Sequence, residues 1–264
     1  MAKAPNSHAI TRRLTKPWEF GNRRLYVYDF TQDKFFDESS KTLLTADESF
    51  GYEVERSLNE LIEQPLAQYL DSLREGALAA SIPWKHERAL ILSLIFQGQR
   101  VAAGDGDLEA MADLQTSLPK GDAYLDPLAR AAKTRFRFIG GKLAQGGPER
   151  LFFFPCGGVA ALPLAGAPAS TPAMLFQPTS LNTFFAAVPT ELPEHVAEDQ
   201  LRDAMSNGLI TAYSMGLISE RIIIPPPIRE ATDDITLKKA VLMQRSAAKR
   251  IAELVYEATR IVGL

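Results

Sequence analysis

The chain has 264 residues, 46% hydrophobic and 23% charged, with a formal net charge of −3. That composition supplies enough apolar side chain for a sizeable core and excludes wholesale disorder. The longest near-apolar run, Ala89 to Phe96 interrupted by Ser93, falls far short of the roughly 20 residues that cross a bilayer, so no membrane role is expected.

The N-terminus lacks the apolar core of a secretory signal, which predicts a cytoplasmic chain. Cys156 is the sole cysteine, leaving no internal disulfide and no cysteine-based zinc cage. The small net charge hides an asymmetry. Residues 1–24 carry Lys3, Arg12, Arg13, Lys16, Arg23 and Arg24 against Glu19, and residues 238–264 carry six basic side chains against Glu253 and Glu257, around an acidic middle. Two basic ends either mark a polyanion site, with nucleic acid as the partner, or dock on the acidic body.

Taken in chain order, "NSHAITRRLTKPWE" at 6–19 places His8 beside an Arg pair and a Trp, and Ile10, Leu14, Trp18 and Phe20 supply apolar surface to hold the segment in place. The stretch "RRLYVYDFTQDKFFDESS" alternates around a polar break and predicts a hairpin. From Ser49 the apolar positions Val54, Leu58, Leu61, Ile62, Leu66, Tyr69, Leu70 and Leu73 follow the helical period, with a kink or restart expected at Pro65. "HERALILSLIFQGQRVAA" is apolar nearly all round, as a central buried helix is. Further helices are expected near 106–116 and 124–139.

Residues 151–189 break into short apolar runs punctuated by Gly and Pro, a pattern of strands and loops. A helix over "EHVAEDQLRDAMSNGLITAYSMG", a strand "RIII" running into a polyproline turn, and a long tail helix capped by Thr232, Asp233 and Asp234 complete the chain. In that tail Leu237, Val241, Gln244, Ala248, Ile251, Val255, Ala258 and Val262 step by four and three, a seam that either docks on its own domain or pairs with a partner or a second copy across 237–262. The expected fold is α+β: a predominantly helical single domain with an N-terminal hairpin and a few short strands in 150–225, divisible if at all near 147.

Glycine-rich phosphate loops, zinc-protease helices and nucleophile elbows are absent from the chain. Two polar lines stand out instead. Glu55, Asn59 and Glu63 fall at i, i+4 and i+8, and paired carboxylates of this kind either hold a divalent metal, do acid–base work or form a solvated face. His86, Ser93, Gln97 and Arg100 run along an otherwise apolar helix and either tie down neighbouring elements or face a pocket.

The order of His8 with "RRL", "LYVYD", "VERSLNELIEQPLA" and "IFQGQR" resembles the uncharacterised family catalogued as domain of unknown function 4238. Here Ala9-Ile10-Thr11 stands where that family has Val-Pro, and "FFFPCGGV" stands where it has a Ser-Asp-x-Pro element. Carried over position by position, the resemblance points at His8, Arg13, Glu55, Glu63, Gln97 and Arg100.

Two functions follow from these residues. In the first, the chain is a hydrolase, nuclease-like in its use of His8, Glu55 and Glu63 as catalytic or metal-holding groups, with Arg13, Gln97 and Arg100 on the substrate. In the second, it is a non-catalytic interaction or regulatory protein working through its C-terminal helix. The first requires His8, Glu55, Glu63, Gln97 and Arg100 to converge, Arg100 to be buried against Glu55 or Glu63, and Trp18 to be buried.

Overall fold

A computed structural model describes residues 11–43, 45, 50–74, 83–104, 106–142, 151–156, 158, 160–162, 174–191, 221–239 and 241–242. Helix α1 (Arg12–Thr15) and a 3-10 turn (Lys16–Trp18) lead into the hairpin β1 (Arg24–Asp29) and β2 (Lys34–Ser39), which runs into the short α2 (Ser40–Leu43). Then come α3 (Tyr52–Leu58), a π-helical segment (Asn59–Glu63), α4 (Gln64–Arg74), α5 (Trp84–Gly104), α6 (Leu108–Ser117) and α7 (Asp122–Arg135). The remaining elements are β3 (Phe136–Lys142), β4 (Phe154–Pro155), β5 (Ala160–Leu162), β6 (Met174–Pro178), β7 (Thr183–Pro189), β8 (Arg221–Ile224) and α8 (Pro226–Ala231).

The fold is α+β, predominantly helical, with strands gathered into two antiparallel four-stranded sheets ordered β2-β1-β8-β4 and β3-β7-β6-β5. The first sheet is covered on both faces. Leu25, Val27 and Ile223 point into the largest core, with Leu14, Trp18, Leu66, Leu90 and Phe184. Tyr28, Ile222 and Ile224, offset by one residue along the same strands, meet Leu237 and Val241 instead, as period-two side chains must. A second core, built from Phe50, Val54, Leu58, Ile62, Leu92, Phe96 and Leu125, joins α3 and the π-helical segment to α5, α6 and α7.

Two expectations are corrected. The helix expected over 124–139 stops at Arg135, because Phe136, Phe138 and the Gly140-Gly141 pair continue as a strand whose whole length pairs with β7. Pairing with β7 rather than local period decides the backbone of this stretch. The polyproline turn after "RIII" is the start of a helix: Pro226 and Pro227 occupy its first turn, where the missing N–H groups have no partner to lose.

The tail opens as expected. Asp233 accepts bonds from the N–H groups of Ile235 and Thr236, the backbone is helical over 234–239 and 241–242, and Leu237 and Val241 are buried on the chain's own sheet. The rest of the seam to Val262, and the helix expected over 194–216, lie outside the described residues. Lys238 pairs with Asp33 in the β1–β2 turn. Asp29, buried at the same turn, accepts bonds from the N–H groups of Thr31 and Gln32 and from Arg221 Nε at 2.9 Å. No helix among the described residues is long and apolar enough to cross a membrane.

Trp18 locks the N-terminal segment onto this frame: its ring is fully buried against Phe154, and Nε1–H donates to the Phe152 carbonyl at 2.7 Å. Trp18→Phe preserves most of the apolar volume but removes that buried hydrogen bond, at a cost of about 1 kcal/mol. Trp18→Ala adds a cavity and is expected to cost about 3–5 kcal/mol. Urea midpoints that shift in this order with an unchanged denaturant dependence check the assignment.

Candidate active site

The two carboxylates singled out by spacing come together through a local irregularity. Pro65 has no N–H to bond, and its ring would clash with the carbonyl four residues back in an unbroken helix. The backbone answers by widening: Asn59–Glu63 is π-helical, and Gln64 N–H bonds the Asn59 carbonyl, five residues back. In a straight α-helix, at about 100° per residue, Glu55 and Glu63 stand about 80° apart around the axis. The π-turn absorbs one residue and brings them to within about 20°. Both now line one cleft, whereas Asn59, between them in sequence, turns to the outside. The Pro65 carbonyl accepts a bond from His86 Nδ1 at 3.1 Å, and His86 stacks on Tyr69. His86 therefore ties α5 to the restart of the helix.

The cleft, about 580 Å³, has Glu55 and Glu63 on one wall and Thr11, Arg12, Arg13, Lys16 and Arg23 on the other. The opposite wall belongs to the segment that Trp18 holds down, so this described part of the basic N-terminus does dock, with four of its five described cations facing a cavity. Arg12 forms a two-pronged bond to Glu19, Nε to Oε1 at 2.8 Å and Nη2 to Oε2 at 2.9 Å, and the Ser40 hydroxyl donates to Glu19 Oε1 at 2.7 Å. Burial pushes the Glu19 carboxyl up, but the bonds from Arg12 and Ser40 and the charges of Arg12 and Arg23 outweigh it and hold the group below the usual carboxylate range.

Arg100, 4% exposed, reaches the cleft through Glu63: its Nη2 donates to Glu63 Oε1 at 3.1 Å. The burial of Arg100 and its contact with Glu63 are as the spacing predicted, although Glu63 itself keeps 22% of its side chain exposed. Gln97, placed one turn earlier and fully buried, sits away from the lining and packs its carboxamide against Gly158. Gly158 has φ +78°, and a Cβ there would come within 2.8 Å of the Gln97 amide carbon, so only glycine fits the approach. Gln177, also fully buried, donates to the Gly158 carbonyl at 3.4 Å. Arg13, Glu55 and Glu63 are thus brought together at one cavity, Arg100 stands directly behind Glu63, and Gln97 packs against Gly158 away from that lining. His8 lies outside the described residues.

Arg12, Lys16 and Arg23 were not singled out from sequence as site residues. The charge count of residues 1–24 was the available signal, and which of those cations face inward depends on the Trp18 anchor. For a divalent metal, the cleft offers two carboxylates, and no group of three His, Cys, Asp or Glu forms among the described residues. Comparison of the chain with protein-family models, with curated proteins and with solved structures returns no match.

Removing Arg100 takes from Glu63 its charged partner but leaves that carboxylate open to the cleft, so Arg100→Ala is expected to destabilise the fold by about 1–3 kcal/mol, measured by urea unfolding; a loss well below about 1 kcal/mol is the value of an exposed pair and contradicts this placement. A second outcome concerns acid. Unfolded Glu19 takes up its proton at the ordinary carboxylate pKa, while the folded group does so only at lower pH. Its stabilisation is complete above the ordinary value and is lost as pH falls through the folded one. Glu19→Gln should flatten the acid limb of a stability curve recorded from about pH 6 to pH 3, leaving the share contributed by Asp29, whose carboxyl is likewise held low: burial raises it, and the Gln32 N–H, Arg221 and Thr31 N–H more than offset that.

Proposed function

We propose that the chain is a hydrolase acting on a phosphate-bearing substrate, a nucleic-acid strand being the form that the basic N-terminal segment fits. The observation that carries this reading is the pairing, across one cavity, of two aligned carboxylates with Arg12, Arg13, Lys16 and Arg23. Cations on one wall hold phosphate oxygens and favour the charge that builds up as phosphorus is attacked. Carboxylates on the other wall supply a proton acceptor within the same space. In this scheme Glu55 takes a proton from the attacking water, the phosphorus–oxygen ester bond breaks, and the leaving oxygen collects a proton from solvent. Glu63, fixed by Arg100, keeps the wall in place and orients the water. His8 is the further candidate base that the sequence offers.

The alternative, a partner-binding tail, is weakened for its first turns by the burial of Leu237 and Val241 on the chain's own sheet.

Hydrolysis of single-stranded and duplex oligonucleotides and of bis(p-nitrophenyl) phosphate, with and without added Mg²⁺ or Mn²⁺, tests the proposal. Glu55→Gln is expected to lower kcat by about 10²- to 10⁴-fold, the range for loss of a general base, with KM little changed. A fully active Glu55→Gln protein, or a wild-type chain that cleaves none of these substrates, overturns it.

A further inference from the structure

The turn that joins the N-terminal segment to β1 has a backbone that asks for glycine where the chain carries arginine. Gly21, Asn22 and Arg23 form a three-residue turn closed by reciprocal bonds, Phe20 N–H to the Arg24 carbonyl at 2.9 Å and Arg24 N–H to the Phe20 carbonyl at 3.0 Å. Within it Gly21 has φ +44° and Arg23 φ +61°. Glycine occupies that left-handed region without penalty; an arginine is strained there and stays only where its surroundings over-determine it. Those surroundings converge on Ser40, which is buried: its N–H donates to the Arg23 carbonyl at 2.9 Å, and its hydroxyl donates to the Glu19 carboxylate that grips Arg12. One serine at the start of α2 thereby sets the positions of two of the four cations in the cleft, Arg23 through its backbone and Arg12 through Glu19.

We propose that Arg23 is a ligand-contacting residue of the cleft, that its strained backbone is held so that the guanidinium faces phosphate oxygens, and that Ser40 is the positioning residue for Arg23 and Arg12 together. Counting the groups that line the cleft with those paired to them, five cations (Arg12, Arg13, Lys16, Arg23, Arg100) face three carboxylates (Glu19, Glu55, Glu63), an excess of two positive charges. That excess matches the negative charge of two consecutive phosphate groups, the chemistry shared by a nucleic-acid strand and a short polyphosphate. The inference rests on the reading of the cleft as a phosphate site but not on hydrolysis taking place there.

The experiment is a binding titration of the full chain with a twelve-residue oligothymidine and, separately, with tripolyphosphate, at several salt concentrations, alongside thermal unfolding. Arg23→Gly keeps the turn and removes the guanidinium. It is expected to raise Tm by roughly 2–4 °C through relief of the strain while weakening binding about tenfold or more. For the oligonucleotide it should also reduce the slope of log K against log salt by about one. Arg23→Ala should lose the same affinity without the gain in Tm. Ser40→Ala, which removes only the hydroxyl, should weaken binding less and leave the salt slope unchanged, since no cation is lost. Preference for oligothymidine over tripolyphosphate assigns the site to a strand, and the reverse assigns it to a free polyphosphate. An Arg23→Gly protein that binds both as wild type does, with the same salt slope, overturns the proposal, as does a wild-type chain that binds neither. Binding without turnover overturns only the hydrolase reading.

Discussion

Pro65 cannot donate a backbone hydrogen bond, and the candidate site is arranged around that constraint. A proline this far into a helical run removes one bond and crowds the preceding turn, and helices meet the problem by kinking, stopping or widening. Here the turn widens over Asn59–Glu63 and the helix resumes at Gln64. The widened turn changes the phase of every residue after it relative to every residue before it. Leu58, Ile62 and Leu66 still reach buried positions, the first two in the core shared with α5 through α7 and Leu66 in the core shared with Trp18. The same change of phase swings Glu63 onto the side of Glu55, and His86 secures the arrangement by bonding the proline's own carbonyl.

Bringing a cationic segment against this pair meets two opposing electrostatic demands. Arg12, Arg13, Lys16 and Arg23 repel one another within one cavity, and each carboxylate loses water as the wall closes. The structure divides the compensation. Glu19, inside the cationic segment, neutralises Arg12, while Arg100, from the core side, neutralises Glu63. Neither partner points into the middle of the cleft, so the space between the walls keeps its opposed charges. The segment is held by apolar contact rather than by charge: Leu14 and Trp18 are fully buried, and the indole N–H finds the Phe152 carbonyl. Placement of this kind survives high salt, which screens exposed ion pairs over about 10 Å at 0.1 M.

The support behind the wall follows a related logic. The missing side chain of Gly158 lets its backbone lie directly on the buried Gln97 carboxamide, and Gln177 bonds the same glycine's carbonyl. Three residues from distant parts of the chain thus form one polar seam between α5 and the second sheet.

Much of this was legible before folding. Local period and turn chemistry determined the hairpin at 24–39, the long buried helix at 84–104, the Asp233 cap and the disturbance at Pro65, because each depends on residues within a few positions of one another. The i, i+8 carboxylates and the buried Arg100 were visible too, as polar groups that an apolar face had to satisfy. What the sequence could not determine was partnership at a distance. Phe136–Ile139 reads locally as the end of a helix and becomes the start of a strand because β7 lies alongside it, and β8 joins β1 across 192 residues at the Asp29–Arg221 pair. Whether Glu55 and Glu63 would face together was a matter of about 100° of helical phase, the turn of one residue, decided by a π-turn whose presence depends on how Pro65 packs and not on spacing. That Arg12, Arg13, Lys16 and Arg23 would look into a cavity was decided by one indole finding one carbonyl 134 residues away. A sequence states which side chains need burial and which need partners; only the folded chain, where those needs are met simultaneously, selects the partners.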